Sequence, residues 1–145
     1  MPPESLRLLL VVDSADDAAL VQQALRQAGQ RLILRQVDSA AGMAAALSQE
    51  HCDLVISDYN LPGFSGTEAL RLLRERSPDT PFIVVSGCIG EEAAVTLMKD
   101  GADDYVMKDN LARLAPAVER SLKEAQSRKQ RKLAERALLE SEARF

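Results

Sequence analysis

The sequence lacks the features that mark several classes of protein. It contains two cysteines with no C-x-x-C pair and a single histidine, so neither a disulfide framework nor a thiolate metal site is indicated. No apolar run approaches the roughly 18 residues that a membrane span requires. The first residues contain neither a basic region nor an apolar stretch, so no secretory leader is indicated and we expect a cytoplasmic protein.

Basic residues are not in excess. The chain has 18 Lys and Arg and 22 Asp and Glu, which gives a formal net charge of −4. A nucleic-acid-binding domain normally carries a broad basic surface, so we expect no direct nucleic-acid partner. The rest of the composition is ordinary, with 46% hydrophobic and 28% charged residues in a chain of 145. This is typical of one globular domain with an appendage.

Short apolar runs alternate with amphipathic segments along the chain. The apolar runs are bounded by turn-forming residues and predict five buried strands, at residues 6–12, 32–37, 54–56, 81–85 and 104–107. Apolar residues at helical spacing predict helices between them, with Ser14, Ser39 and Ser65 as N-caps and with Gly29 and Gly101 as stops. Such alternation predicts a parallel sheet with helices on both faces.

Four polar residues directly follow predicted strands, namely Asp13, Asp58, Ser86 and Lys108. Because the carboxyl ends of parallel strands meet at one edge of a sheet, we expect these side chains to gather where α/β proteins bind their ligands. Each residue alone could be an ordinary loop residue, but two acids, a hydroxyl and an amine together indicate a site. Asp16 and Asp17 are interpreted only as first-turn carboxylates that complement the dipole of the first helix.

Residues 6–124 resemble the receiver domains of bacterial two-component response regulators. The resemblance is carried by LLVVD at 9–13, DLVISD at 53–58 followed by LPG at 61–63, IVVSG at 83–87 and GADDYVMK at 101–108. It implies a flavodoxin-like, doubly wound, five-stranded parallel sheet with strand order 2-1-3-4-5, in agreement with the alternation described above.

The resemblance also implies a function. Asp58 would accept a phosphoryl group from the phosphohistidine of a sensor histidine kinase or of a histidine phosphotransfer protein, so the domain would be a regulatory switch rather than an enzyme. The implied site residues are Asp13, Asp58 and the backbone carbonyl of Asn60 for Mg²⁺, Lys108 and Ser86 for the phosphoryl group, and Tyr105 as the switch residue. His51 receives no role, and Cys88 is interpreted as a passive loop residue near the mouth of the site.

The sequence departs from the receiver pattern at two positions. Val12 stands where the family has the first of two adjacent acids, which predicts weak Mg²⁺ binding. Asp109 stands where the family commonly has a proline after the lysine. Because a non-proline cis peptide costs about 2.5 to 4 kcal/mol, we expect the peptide between Lys108 and Asp109 to be trans.

The last third of the chain changes in character. A helix is expected from Asn110, with the receiver domain at residues 1–125 and a helical linker at 126–145. The linker has a polar start followed by Leu133, Ala137 and Leu138, which predicts a helix unbroken beyond Ala125 and a homodimer formed through it. Residues 137–145 also resemble the lead-in to a PAS sensory domain, which implies an output or PAS-like domain after the linker.

Three other functions remain open at this point. A phosphatase of the haloacid dehalogenase type would also use an acid after a strand, but its Asp-x-Asp motif follows the first strand, whereas Asp58 follows the third. A flavin or nucleotide binder would need phosphate donors after the first strand, where Asp13, Asp16 and Asp17 would repel phosphate. A receiver-like scaffold or dimerisation module without phosphorylation would follow if Val12 abolished metal binding.

Overall fold

The computed structural model describes residues 5–87 and 90–143. Its centre is a five-stranded sheet, whose strands are β1 (Leu6–Val11), β2 (Leu32–Val37), β3 (Leu54–Asp58), β4 (Phe82–Ser86) and β5 (Asp104–Met107). Their order is β2-β1-β3-β4-β5, and every pairing is parallel. The predicted doubly wound, flavodoxin-like sheet is therefore confirmed. A small antiparallel hairpin of Asn60–Leu61 and Phe64–Ser65 follows β3 and was not predicted.

Helices connect the strands of the sheet. They are α1 (Ala15–Gln27), α2 (Ala40–Gln49), α3 (Gly66–Arg76), α4 (Glu91–Lys99) and α5 (Leu114–Ala143), with a 3₁₀ helix at Lys108–Arg113 before α5. The predicted serine caps are confirmed, because the hydroxyl oxygens of Ser14, Ser39 and Ser65 each accept a hydrogen bond from the backbone N–H three residues later. Gly29 and Gly101 follow α1 and α4 with φ values of 88° and 111°, as expected of glycines that end helices.

The helices form two layers, one on each face of the sheet. Along β1, Leu8 and Leu10 pack towards α1 and α5, whereas Leu9 and Val11 pack towards the layer of α2, α3 and α4. Successive strand residues point to opposite faces, so a strand covered on both faces must be apolar throughout. This explains why β1 and β3 read as continuous apolar runs in the sequence.

The last helix begins later in the sequence than expected and continues beyond the part that packs on the sheet. The 3₁₀ helix breaks the pattern at Asn110, whose φ of −136° and ψ of 50° are not helical, and α5 starts at Leu114. Pro116 lies in the first turn of α5, where its missing N–H leaves no hydrogen bond unmade. The helix then runs without a break past Ala125 to Ala143, which confirms the predicted long C-terminal helix.

The polar start of the linker contacts the domain at the edge of the sheet where the strands begin. The Lys132 Nζ atom lies 2.6 Å from an Asp79 carboxylate oxygen, in the loop before β4. An Arg128 guanidinium nitrogen lies 3.6 Å from an oxygen of Asp103, which directly precedes β5. We call these two ion pairs the linker clasp. Beyond the clasp, three leucines on α5 are exposed, namely Leu133 (64%), Leu138 (61%) and Leu139 (65%).

No helix in the described part of the chain is long and apolar enough to cross a membrane.

Candidate functional site

The pairing of β3, β4 and β5 brings three predicted site residues to one edge of the sheet. Asp58 ends β3 opposite Val85, and Ser86 ends β4 opposite Met107. Lys108 is the next residue along the chain after Met107. From β3 to β5, the polar residue of each strand lies about one position further along than the polar residue of the strand before it. All three therefore lie at the carboxyl edge of the parallel sheet. This is the edge at which α/β proteins bind ligands.

Asp58 is a buried carboxylate with only 6% of its surface exposed. Its backbone carbonyl accepts a hydrogen bond of 2.8 Å from the Ser57 hydroxyl. Gly66, at the start of α3, lies close to the backbone of Asp58 and Tyr59. A Cβ atom at position 66 would lie 3.3 Å from the Asp58 carbonyl oxygen and 3.2 Å from the Tyr59 Cα atom. A residue larger than glycine at position 66 would therefore press on the backbone that carries the Asp58 side chain.

Lys108 bridges two carboxylates. Its Nζ atom lies 2.9 Å from an oxygen of Asp58 and 2.8 Å from an oxygen of Asp17. Burial alone would lower the pKa of the Lys108 ammonium group, but the hydrogen bonds to the two carboxylates outweigh burial and raise that pKa above its ordinary value. The Lys108 side chain is therefore positively charged beside Asp58 at neutral pH.

Asp17 is the site residue that sequence reasoning missed. It was assigned to the dipole of α1, and its place in the first turn of that helix is confirmed. Its side chain, however, contacts Lys108, which lies 91 residues further along the chain. No local pattern in the sequence signals this contact, because Asp13 precedes the N-cap Ser14 and does not share a helix face with Asp17.

Three carboxylates converge beside Lys108. Asp13, Asp17 and Asp58 each offer one oxygen atom, and these three atoms lie within 4.8 Å of one another. Asp13 is exposed, Asp17 is partly buried and Asp58 is buried, so the cluster opens towards solvent on one side. Carboxylate oxygens are the ligands that Mg²⁺ prefers, so the residues present fit the cation that receiver domains use. Asn60, expected to contribute its carbonyl, lies two residues beyond Asp58 and pairs with Ser65 in the hairpin.

Val12 lies in the apolar core and not among the clustered carboxylates. It is 2% exposed and belongs to the same cluster of buried side chains as Val21 and Val85. Together with Asp17 and Lys108 it also lines a small cavity beneath the site. The expectation of a weak metal site considered only the acids at positions 13 and 58, whereas the structure adds the carboxylate of Asp17.

Tyr105 is half-buried on β5, at the edge of the sheet, and its side chain packs against the layer of α2, α3 and α4. The guanidinium carbon of Arg113 lies 5.8 Å from the centre of its ring, within the range of a cation–π contact. Arg113 also donates a hydrogen bond of 2.6 Å to the Tyr105 carbonyl. The peptide between Lys108 and Asp109 is trans, as expected.

One residue considered in the sequence, His51, stands apart from this cluster. His51 lies where β3 begins, with its Nε2 atom 3.3 Å from a carboxylate oxygen of Asp53 and therefore at the opposite edge of the sheet from Asp58. Cys88 falls outside the described residues.

Comparison with known proteins identifies the family. Residues 8–119 match the response regulator receiver domain family. The chain is 35% identical over 107 residues to the response regulator protein FleR of Pseudomonas aeruginosa, an alignment that covers 74% of this chain and 22% of FleR. It is 31% identical over 127 residues to the cell cycle transcriptional regulator CtrA of Caulobacter vibrioides, covering 84% of this chain and 54% of CtrA. The chain thus spans about half, or less, of these relatives.

Solved structures agree with the sequence matches. A CheY-like receiver domain protein from Methanospirillum hungatei superimposes with a TM-score of 0.73 at 27% identity, covering 86% of this chain and 99% of that one. NtrX from Brucella abortus superimposes with a TM-score of 0.77 at 28% identity, covering 88% of this chain and 29% of that one. Because the family match runs from β1 into α5 and includes every residue of the cluster around Asp58, the chain belongs to the response regulator receiver domain family.

Proposed function

We propose that the chain is a phosphorylation-dependent signalling switch in which Asp58 accepts a phosphoryl group from a phosphohistidine of a sensor histidine kinase or histidine phosphotransfer protein. A carboxylate oxygen of Asp58 attacks phosphorus, so a P–O bond forms as the P–N bond breaks, and the imidazole nitrogen keeps the bonding electron pair. The observation that carries the proposal is the buried Asp58 carboxylate, held 2.9 Å from the Lys108 ammonium at the carboxyl edge of the sheet. Since phosphohistidine is made from ATP, we place this exchange in the cytoplasm.

The residues around Asp58 suit phosphoryl transfer. This reaction asks the protein mainly to position the groups and to neutralise the charge on the phosphoryl oxygens. Lys108 supplies a flexible positive charge, and Ser86 supplies a hydroxyl that can donate to the transferred group. Asp13 and Asp58 would hold a divalent cation, with the Asn60 carbonyl as a further ligand. Bound Mg²⁺ would supply additional positive charge to the phosphoryl oxygens.

We further propose that the phosphoryl group acts through β5 and the last two helices. Drawing Ser86 towards the phosphoryl group would disturb Met107, its partner in the sheet, and with it Tyr105 and the ring contact from Arg113. Arg113 lies directly before α5. A short series of contacts therefore connects Asp58 to α5. Coupling free energies between two sites of an allosteric protein are typically about 1 to 3 kcal/mol.

The chain divides, in this proposal, into a receiver domain at residues 1–125 and a helical linker at 126–145 that leads to an output or PAS-like domain. Two observations support the division. Ala125 is the last residue of α5 in the buried core, and the exposed leucines of α5 all lie beyond it. The curated relatives are also longer than the region they share with this chain. The exposed leucines further suit pairing with the same helix of a second chain.

The test of phosphorylation is intact-mass analysis after treatment with a small phosphodonor and Mg²⁺. We expect one acid-stable, base-labile phosphoryl group on the natural chain and none on Asp58→Asn. Asp16→Asn is the matched control, because it removes an exposed carboxylate from the same edge of the sheet. A full phosphoryl signal on Asp58→Asn would contradict the proposal, as would an unmodified natural chain.

A further inference from the structure

We propose that Asp17 supplies the carboxylate that position 12 lacks and serves as the third acidic ligand of the divalent cation beside Asp58. This inference rests on the proposed function, because it assigns a role at the same site. It concerns a residue outside the set that the receiver resemblance assigned to the metal.

The first argument is position. The three oxygen atoms offered by Asp13, Asp17 and Asp58 lie within 4.8 Å of one another and come from three different places in the fold. Asp13 follows β1, Asp17 lies in the first turn of α1 and Asp58 ends β3. Hard divalent cations favour such a group of oxygen ligands. The side chain of Val12, by contrast, is buried among apolar residues and has no ligand atom to offer.

The second argument is charge. Asp13 and Asp58 together with the Lys108 ammonium carry a net charge of −1, which leaves a divalent cation only half neutralised. With Asp17 included, three carboxylates and one ammonium carry two negative charges, which one divalent cation balances. Lys108 already spans two members of this group at 2.8 and 2.9 Å, so the repulsion between Asp17 and Asp58 is offset before any cation binds.

The third argument is the way α1 holds Asp17. The Asp17 backbone N–H donates a hydrogen bond of 3.3 Å to the capping hydroxyl of Ser14, which ties this residue to the first turn. Asp17 is partly buried, whereas Asp16 in the same turn is exposed. If Asp17 only complemented the helix dipole, the two acids would be equivalent. Its ion pair with Lys108 shows that it belongs to the cluster.

The experiment measures the affinity of the full chain for Mg²⁺ by calorimetry, and for Mn²⁺ by paramagnetic resonance, without any phosphodonor. We expect Asp17→Asn to weaken binding by roughly 10- to 100-fold, the range found when a group that supports a metal site is lost. Asp16→Asn, which removes the same charge from the same turn, should change the affinity by less than about threefold. Val12→Asp combined with Asp17→Asn should recover part of the lost affinity.

Equal affinities of Asp17→Asn and Asp16→Asn would overturn this inference, and so would a natural chain that binds neither cation. The phosphorylation assay separates this failure from failure of the proposed function. If the natural chain is phosphorylated on Asp58 while Asp17→Asn binds Mg²⁺ normally, the role of Asp17 is wrong and the switch stands. If the natural chain binds Mg²⁺ through Asp17 but gains no phosphoryl group, the cation site stands and the phosphoacceptor role of Asp58 is wrong.

Discussion

The ammonium group of Lys132 lies 2.6 Å from a carboxylate oxygen of Asp79, so the second turn of α5 beyond the buried core is tied to the loop before β4. The contact is partly exposed on both sides, and an exposed ion pair contributes about 0.2 to 1 kcal/mol. Its effect should therefore be local. It fixes the first part of the linker to the domain without adding much to the stability of the whole chain.

We expect Lys132→Ala to loosen the linker, because it removes one of the two ion pairs of the clasp. Hydrogen exchange of residues 126–143 should become faster, while exchange in the sheet stays unchanged. Arg131→Ala is the matched control, since Arg131 is a neighbouring exposed cation on the same helix. Equal protection of the linker in both variants would mean that the clasp does not hold it.

The pH dependence of the clasp follows from Asp79. The hydrogen bond from Lys132 holds the pKa of the Asp79 carboxyl below its ordinary value. A depressed pKa stabilises the folded state above the ordinary carboxyl pKa, and this contribution is lost as the pH falls through the lower, folded-state pKa. The natural chain should therefore be more stable than Asp79→Asn at neutral pH, by at most about 1 kcal/mol.

That difference should shrink as the pH falls below the ordinary range of aspartate and should disappear at still lower pH. Urea unfolding of both proteins over a series of pH values provides the measurement, with the difference between their free energies of unfolding as the quantity followed. A difference that stays constant down to low pH would show that Asp79 acts through something other than its charge.

Val12→Asp should change metal binding and stability in opposite directions. A fourth carboxylate near the cluster should tighten Mg²⁺ binding. The loss of a buried valine should cost about 1.5 to 3 kcal/mol of folding free energy, and the repulsion between carboxylates without metal adds to this cost. Val12→Ala separates the two effects, because it removes packing without adding charge. Equal Mg²⁺ affinities of the natural chain and Val12→Asp would show that position 12 does not face the cation.

The exposed leucines of α5 predict a homodimer. Isolated helices of this length are marginal unless they bury an apolar face, and Leu133 and Leu138 bury little within one chain. Sedimentation should show self-association of the natural chain that weakens in the double variant Leu133→Ser, Leu138→Ser and persists in Leu20→Ser, a control at an exposed leucine of α1. A phosphoryl mimic should shift this equilibrium. A monomer under all conditions would leave the linker as a tether only.

The sheet could be predicted because the sequence features that define its strands lie within the strands and directly beside them. A strand buried on both faces needs a continuous apolar run, and the serine caps and the stops at Gly29 and Gly101 mark the helix ends within a few residues. Asp58, Ser86 and Lys108 could be placed for the same reason, since each follows such a run directly. Once the strands were known to be parallel, their meeting at one edge required no further information.

The features that were missed depend on partners distant in sequence. Asp17 had a sufficient local explanation in the helix dipole, and nothing near it points to Lys108. The linker clasp joins α5 to Asp79 and Asp103, two ordinary loop acids, and long-range ion pairs leave no periodic pattern. The hairpin after β3 was missed because strands of two residues are too short to show alternation.

The clasp also determines which motions are open to α5. Leu114 is fully buried where the helix starts, beside the carboxyl edge, and Lys132 is held at the opposite edge, roughly 27 Å along a helix rising 1.5 Å per residue. Two attachment points that far apart along one helix prevent its axis from swinging relative to the sheet. The three exposed leucines beyond Lys132 therefore project from the domain in a direction that the clasp helps to set, and loss of the clasp would leave that direction to the buried part of α5 alone.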